Sequence, residues 1–365
     1  MDIQVDTLLI IGNGFDLHCG LKSGFSHYFD CECKNVLGEL YSYYFYGCYS
    51  KFYNLLVNND NIINFWSFLF YIHFFAQNEK YKIEEVVGDR WFDIEELIKS
   101  YLSYKFFGNR YLTDYVKIGL TKEKINLLLF ETDKSLCRDI KDNPYILFSY
   151  FQSNTTDNPY EYLENELHKF ERSFKDYLLK QINEEYNKNC FAFLKTLLEE
   201  SDYVDVLNFN YTTLKDNGML INKQINVHGK LNGDEGIIIG IDYKDADDNK
   251  MVRFTKTYRN LHKIKEGFLM PSNIKSIVFY GHSLADSDFS YFYSLFDMYG
   301  LYNGGLKLKF LYSDYEDDKY KNENNHKKYV DQIYSLINKY SMESKKESNL
   351  LHRLILESRI SIKKI

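Results

Sequence analysis

The chain is poor in the residues that break or staple structure. Three prolines in 365 residues leave few forced breaks, so long helices are expected. The six cysteines (Cys19, Cys31, Cys33, Cys48, Cys137 and Cys190) are scattered and contain no C-x-x-C pair. No matching Cys or His pair completes a zinc site, and the reading is of reduced thiols in a cytoplasmic protein. The first residues, Met1 to Asp6, lack the basic start of a secretory signal. No apolar run reaches the ~20 residues that span a bilayer. The nearest, Ile62 to Ala76, carries Asn64, Ser67 and His73 and reads as a buried or interface helix rather than a membrane segment. A net charge of -7 supplies no global basic field, so nucleic acid is not indicated as a partner, although a local patch remains open.

What is abundant is aromatic surface. The 34 Tyr and 28 Phe, within a hydrophobic fraction of 45%, supply a sizeable core and point to helix packing. The length fits one large α/β domain with an insertion, or two domains.

Leu8 to Ile11 is an apolar run that fits one buried parallel strand, and it ends in Gly12-Asn13-Gly14-Phe15-Asp16. Glycines there let the backbone approach a pyrophosphate, and the following helix start favours an anion. The third glycine of the dinucleotide fingerprint is replaced by Leu17, so a plain strand-to-loop turn with positive φ explains the stretch equally.

Residues from about Cys33 to Cys190 read as mostly helical. Asp93 with Glu96 resembles a capping box and Glu95 a solvated first-turn residue. Tyr160 to Lys180 has an amphipathic core stripe. Strand-like segments then appear at Tyr203 to Phe209, Ile225 to Gly229, Gly236 to Ile241, Ser276 to Tyr280 and Leu306 to Tyr312, with a helix over Phe289 to Tyr299 and an edge strand in the tail Arg359 to Ile365. The expected fold is α/β, Rossmann-like, with a mostly parallel sheet and a large helical insertion after the first strand and helix. The expected domains are 1–30 with 200–365 for the sheet, and 31–199 for the insertion. Asp245-Ala246-Asp247-Asp248-Asn249 looks like the start of a calcium loop, but Lys250 and Lys256 stand where the glycine and closing glutamate belong, so it reads as an exposed loop.

Asn210, His228 and Gly281-His282-Ser283-Leu284 all follow predicted strands, where open parallel sheets place ligands. His228 fits a general base or a hydrogen-bonded structural histidine. Asn210 fits an amide that holds water or a ribose hydroxyl, or a turn residue. Gly281 to Ala285 also has the strand–turn–helix setting of a nucleophile elbow, with Ser283 as nucleophile, Asp314 as acid and His326 or His352 as base. A further alternative is a metal-dependent nuclease or nucleotide hydrolase on Asp16, Asp286 and Asp288.

Taken together, Gly12-Asn13-Gly14-Phe15-Asp16-Leu17, Gly20-Leu21, Tyr28-Phe29, Trp91 to Glu95, Asn208 to Thr212, His228-Gly229 and Gly281 to Leu284 with Asp288 resemble the AbiH family of phage abortive-infection proteins. The framework is also similar to a divergent sirtuin-like fold of antiphage NAD-consuming enzymes. That resemblance implies antiphage defence, with NAD or a related nucleotide as ligand or substrate. By it, Gly12, Asn13 and Gly14 would cradle the pyrophosphate, with Phe15, Asp16 and Asp288 beside the ligand. Asn210 would fix water or ribose, His228 would act as base, and Gly281, His282 and Ser283 would hold the adenosine side. The zinc cysteines of deacetylating sirtuins are missing, so neither zinc nor protein deacetylation is expected. A phage-derived trigger and a homo-oligomer are possible partners. A third reading is a non-catalytic module that binds a nucleotide and recognises a partner through its helices.

Overall fold

The computed structural model describes residues 5–46, 48–60, 62–72, 91–102, 151, 159–198, 203–216, 220–233, 236–246, 249–263, 270–313, 324–344 and 349–365. In chain order these form β1 (Thr7–Ile11), α1 (Asn13–His18), α2 (Phe25–Tyr28), a π-helical turn (Phe29–Cys33), α3 (Lys34–Phe45), α4 (Tyr49–Asn58), α5 (Phe65–Tyr71) and α6 (Trp91–Leu102). Then come α7 (Pro159–Gln181), α8 (Glu184–Leu197), β2 (Val204–Asn208), β3 (Ile221–Asn226), α9 (Lys256–Lys263), β4 (Ser276–Tyr280), α10 (Phe289–Met298), β5 (Lys307–Tyr312), α11 (Asn324–Glu343), α12 (Leu350–Leu356) and β6 (Ile360–Lys364).

The six strands form one sheet in the order β3-β2-β1-β4-β5-β6, with every pair parallel. This is the Rossmann order, and its direction of winding reverses between β1 and β4. All five residues of β1 are buried, which is why the run reads as continuously apolar rather than alternating. Side-chain alternation splits it between two cores. Leu8 and Ile10 join Ile277, Phe279, Leu308 and Phe310 under Phe292 and Phe296 of α10 and Leu336 and Ile337 of α11. Leu9 and Ile11 join Val204, Val206 and Tyr280 under Phe15 and the Tyr186, Cys190, Leu194 and Leu197 face of α8.

The chain divides into two compact units. One comprises Met1–Ser23, Leu178–Ile237 and Lys263–Ile365 and holds the sheet; the other comprises Gly24–Tyr177 and Ile238–His262. Within the second, α5 is buried along its whole length and starts from a capping box made by Asn64 and Ser67. Trp66 donates its indole N–H to the Leu163 carbonyl, so polar handles are satisfied inside an aromatic core. Among the described residues no helix is long and apolar enough to cross a membrane.

Several local expectations change. The third strand spans Ile221–Asn226 rather than Ile225 to Gly229; it lies at the sheet edge, where polar Asn222, Lys223 and Gln224 hide its start from an apolar pattern and only Ile225 is buried. Gly236 to Ile241 makes two isolated bridges, to Gly229 and Thr255, instead of a ladder. Asp93 lies inside α6 rather than at its cap. Glu95 is not solvated: it is buried and pairs with Lys256 at 2.8 Å. Lys256 thereby has a task unrelated to a calcium loop, whose central residues 247 and 248 lie outside the described ones, as do Asp314 and Cys137.

Candidate functional site at the carboxyl edge of the sheet

The strand register brings the predicted residues to one line. Ile11 pairs with both Asn208 and Tyr280, and Asn208 pairs with Asn226, so β1 to β4 end level. Gly12, Asn210, His228 and Gly281 each follow one of those ends within two residues.

At the switch point the loops after β1 and β4 are in direct contact. The Gly12 amide donates to the Tyr280 carbonyl at 3.1 Å and the Gly14 amide to Gly281 O at 2.7 Å. A Cβ on Gly12 would lie 2.7 Å from His282 Cα, and one on Gly281 would lie 2.4 Å from Phe15 N. Gly281 also has φ +67°. Close approach of two backbones therefore accounts for both glycines. Two amides of the supposed cradle are spent within the protein, so they do not by themselves form an open anion site. Asn13 is tied by Ser23 Oγ, which donates to its Oδ1 at 2.5 Å.

Asn210 closes the same turn from the β2 side, with its Nδ2 donating to Gly12 O at 2.9 Å. Its own loop is shaped by two asparagines to which the sequence pattern assigned no role of their own. Asn208 Oδ1 accepts from the Asn210 amide at 2.8 Å, and Asn226 Nδ2 donates to the carbonyls of Asn210 and Thr212 at 2.9 and 2.7 Å. The available signal was their place: asparagine is disfavoured in strands, yet each ends one.

Asp16 is buried beneath the β2 loop. It is 2% exposed and accepts from Tyr186 Oη at 2.8 Å and from Thr212 Oγ1 at 3.0 Å. Burial outweighs these hydrogen bonds and pushes its carboxyl up to about 7. The residue braces α1 against α8 and the β2 loop.

His228 lies in the turn after β3, 5% exposed, with Nε2 3.1 Å from Asp288 Oδ1. The other Asp288 oxygen faces His282 Nε2 at 3.4 Å. His282 Nδ1 accepts the Leu284 amide at 2.9 Å, so the proton of the neutral ring belongs on Nε2, toward Asp288. By the same logic a His228 that donates from Nε2 carries its lone pair on Nδ1. Phe209 packs edge-on against both rings, at 5.4 and 4.7 Å. One carboxylate thus orients two histidines in an aromatic setting.

The competing constellations are dispersed. Ser283 is exposed, and its neighbour His282 is engaged by Leu284 and Asp288. His326 meets Tyr312 Oη instead. Asp16, Asp286 and Asp288 each have separate partners, Asp286 pairing with Lys339. Among the described residues no group of three or more His, Cys, Asp or Glu side chains is placed to hold a metal ion.

The family model described as bacteriophage abortive infection AbiH matches residues 8–303, from β1 through the loop after α10. The chain belongs to the AbiH family. This match spans the glycine turn, the Asn210 loop, His228 and the His282–Asp288 segment of the AbiH chain in a single stretch. No curated protein and no solved structure matches it.

Proposed function

We propose that this AbiH protein is an antiphage effector with a sirtuin-like site, which takes NAD or a related nucleotide at the carboxyl edge of β1 and β4 and hydrolyses its nicotinamide N-glycosidic bond. The observation that carries the reading is the His228–Asp288–His282 arrangement beside the topological switch point, where parallel sheets bind ligands.

In this reading His228 is the base. Asp288 fixes its tautomer, and Nδ1, which is buried in this conformation, takes a proton from water or a ribose hydroxyl once ligand entry has opened the site, as the bond to nicotinamide breaks through an oxocarbenium-like state. Asn210 holds the Gly12 turn in place and limits where the ribose can sit. Since the Gly12 and Gly14 amides are engaged with the β4 loop, phosphate contact on this side falls to Asn13 and the exposed Ser283 hydroxyl. Asp16 acts through folding, not on the ligand. Incubating purified protein with NAD should release nicotinamide, and His228→Ala should stop the release while nucleotide binding, followed by calorimetry, persists. Absence of both binding and release with a phage lysate present would defeat the proposal.

A second reading, a nucleotide sensor without catalysis, is favoured by the burial of His228. It differs in outcome: His228→Ala would keep phage protection.

A further inference from the structure

Away from His228, three side chains converge at the ends of α1, β4 and β5. Ser313 Oγ lies 2.6 Å from Tyr280 Oη and 3.2 Å from His18 Nδ1, and Tyr280 Oη lies 3.0 Å from the same nitrogen. The His18 ring is stacked on Phe193 at 3.7 Å between centroids and meets Tyr280 edge-on. Tyr280 is fully buried, Ser313 is half-buried and His18 is exposed, so the mouth of the cluster faces solvent and its floor is fixed.

With His18 as the Nε2–H tautomer, Nδ1 accepts from the Ser313 or the Tyr280 hydroxyl. That tautomer is the one in which the ring can take the serine proton. Partial burial lowers the histidine pKa, which favours the neutral ring at neutral pH. A hydroxyl within reach of a base, with the base ring clamped, is the general signature of an activated nucleophile. Ser313 falls outside the elbow at Ser283, which is why the sequence pattern directed attention to a different serine.

We propose that Ser313 is a nucleophile activated by His18, with Tyr280 as positioning residue, acting on esters or other activated acyl groups with an apolar face. The half-buried ring of Phe193, stacked on His18, supplies that preference. The serine oxygen bonds to the acyl carbon, the carbon–oxygen bond to the leaving group breaks, and the serine proton passes through His18 Nδ1 to the departing alkoxide. Water repeats the sequence, releasing the acid and restoring serine.

The test is labelling of the full chain by a fluorophosphonate, in which the Ser313 Oγ–P bond forms, fluoride leaves and His18 takes the proton. Peptide mass spectrometry should place the label on Ser313, and Ser313→Ala should remove it. His18→Gln keeps a hydrogen-bonding group but cannot take the proton, and should slow labelling about 10²- to 10⁴-fold. Tyr280→Phe should slow it less. The labelling rate should reach half its maximum below the ordinary histidine value of about 6.5. Failure to label Ser313 in folded protein, or labelling of His18→Gln at the wild-type rate, would overturn the proposal. Because the readout needs no NAD, it stands or falls separately from the reading of His228.

Discussion

Asp288 Oδ1 lies 3.1 Å from His228 Nε2, across 60 residues of chain, and the two come from the loops after β3 and β4. The carboxylate also faces His282, so a single change there releases both rings. Asp288→Asn should lower nicotinamide release about 10²- to 10⁴-fold, as expected when a base loses its tautomer partner. The double variant with His228→Ala should be no worse than His228→Ala alone, since the two act as a unit. Full additivity, measured by steady-state kinetics, would separate them.

Asp16 gives a pH dependence of stability. Its folded pKa, about 7, is raised above the ordinary value of 3.8 by burial. Between those values the folded state binds the extra proton, so its contribution is fully present below about pH 4 and is lost as pH rises through 7. Asp16→Asn keeps an oxygen for Tyr186 and Thr212 and should flatten urea-unfolding stability across this window by a few kcal/mol. An unchanged slope between pH 4 and 7 would contradict the assignment of Asp16 as a buried brace.

Gly281 and Gly305 form a matched pair of tests. A methyl at Gly281 meets Phe15 N at 2.4 Å from a backbone with φ +67°, whereas one at Gly305 meets nothing within 4 Å. Gly281→Ala should cost at least about 1–3 kcal/mol and loosen the glycine turn. Gly305→Ala should be near neutral in the same denaturation experiment.

In the second unit, Glu95 and Lys256 form a buried pair at 2.8 Å. Lys256→Met alone should cost about 3–5 kcal/mol by removing the ammonium that neutralises the buried carboxylate, and Glu95→Leu added to it should recover most of that loss. Thermal unfolding of the wild-type protein and the two variants decides it.

What sequence reading recovered, and what it missed, follows chain separation. The glycine turn, the Asn210 loop and the His282 segment are local patterns, each a strand end with its turn residues, and the parallel register carries them to one edge. The helices over Pro159–Gln181 and Phe289–Met298 were likewise legible from apolar spacing. Asp16 was not, because its partner Tyr186 is 170 residues away; the pairing of Glu95 with Lys256 spans 161, and that of His18 with Ser313 spans 295. Nothing in periodicity encodes such meetings. The glycines were read as a cradle because close approach to a phosphate and close approach to another backbone demand the same residue.

The most direct test of the NAD reading is a time course of cellular NAD after phage infection in cells carrying the wild-type protein or His228→Ala. NAD should collapse before lysis with the wild-type protein and persist, with phage protection lost, in His228→Ala. Cells that die protectively with their NAD intact would contradict it.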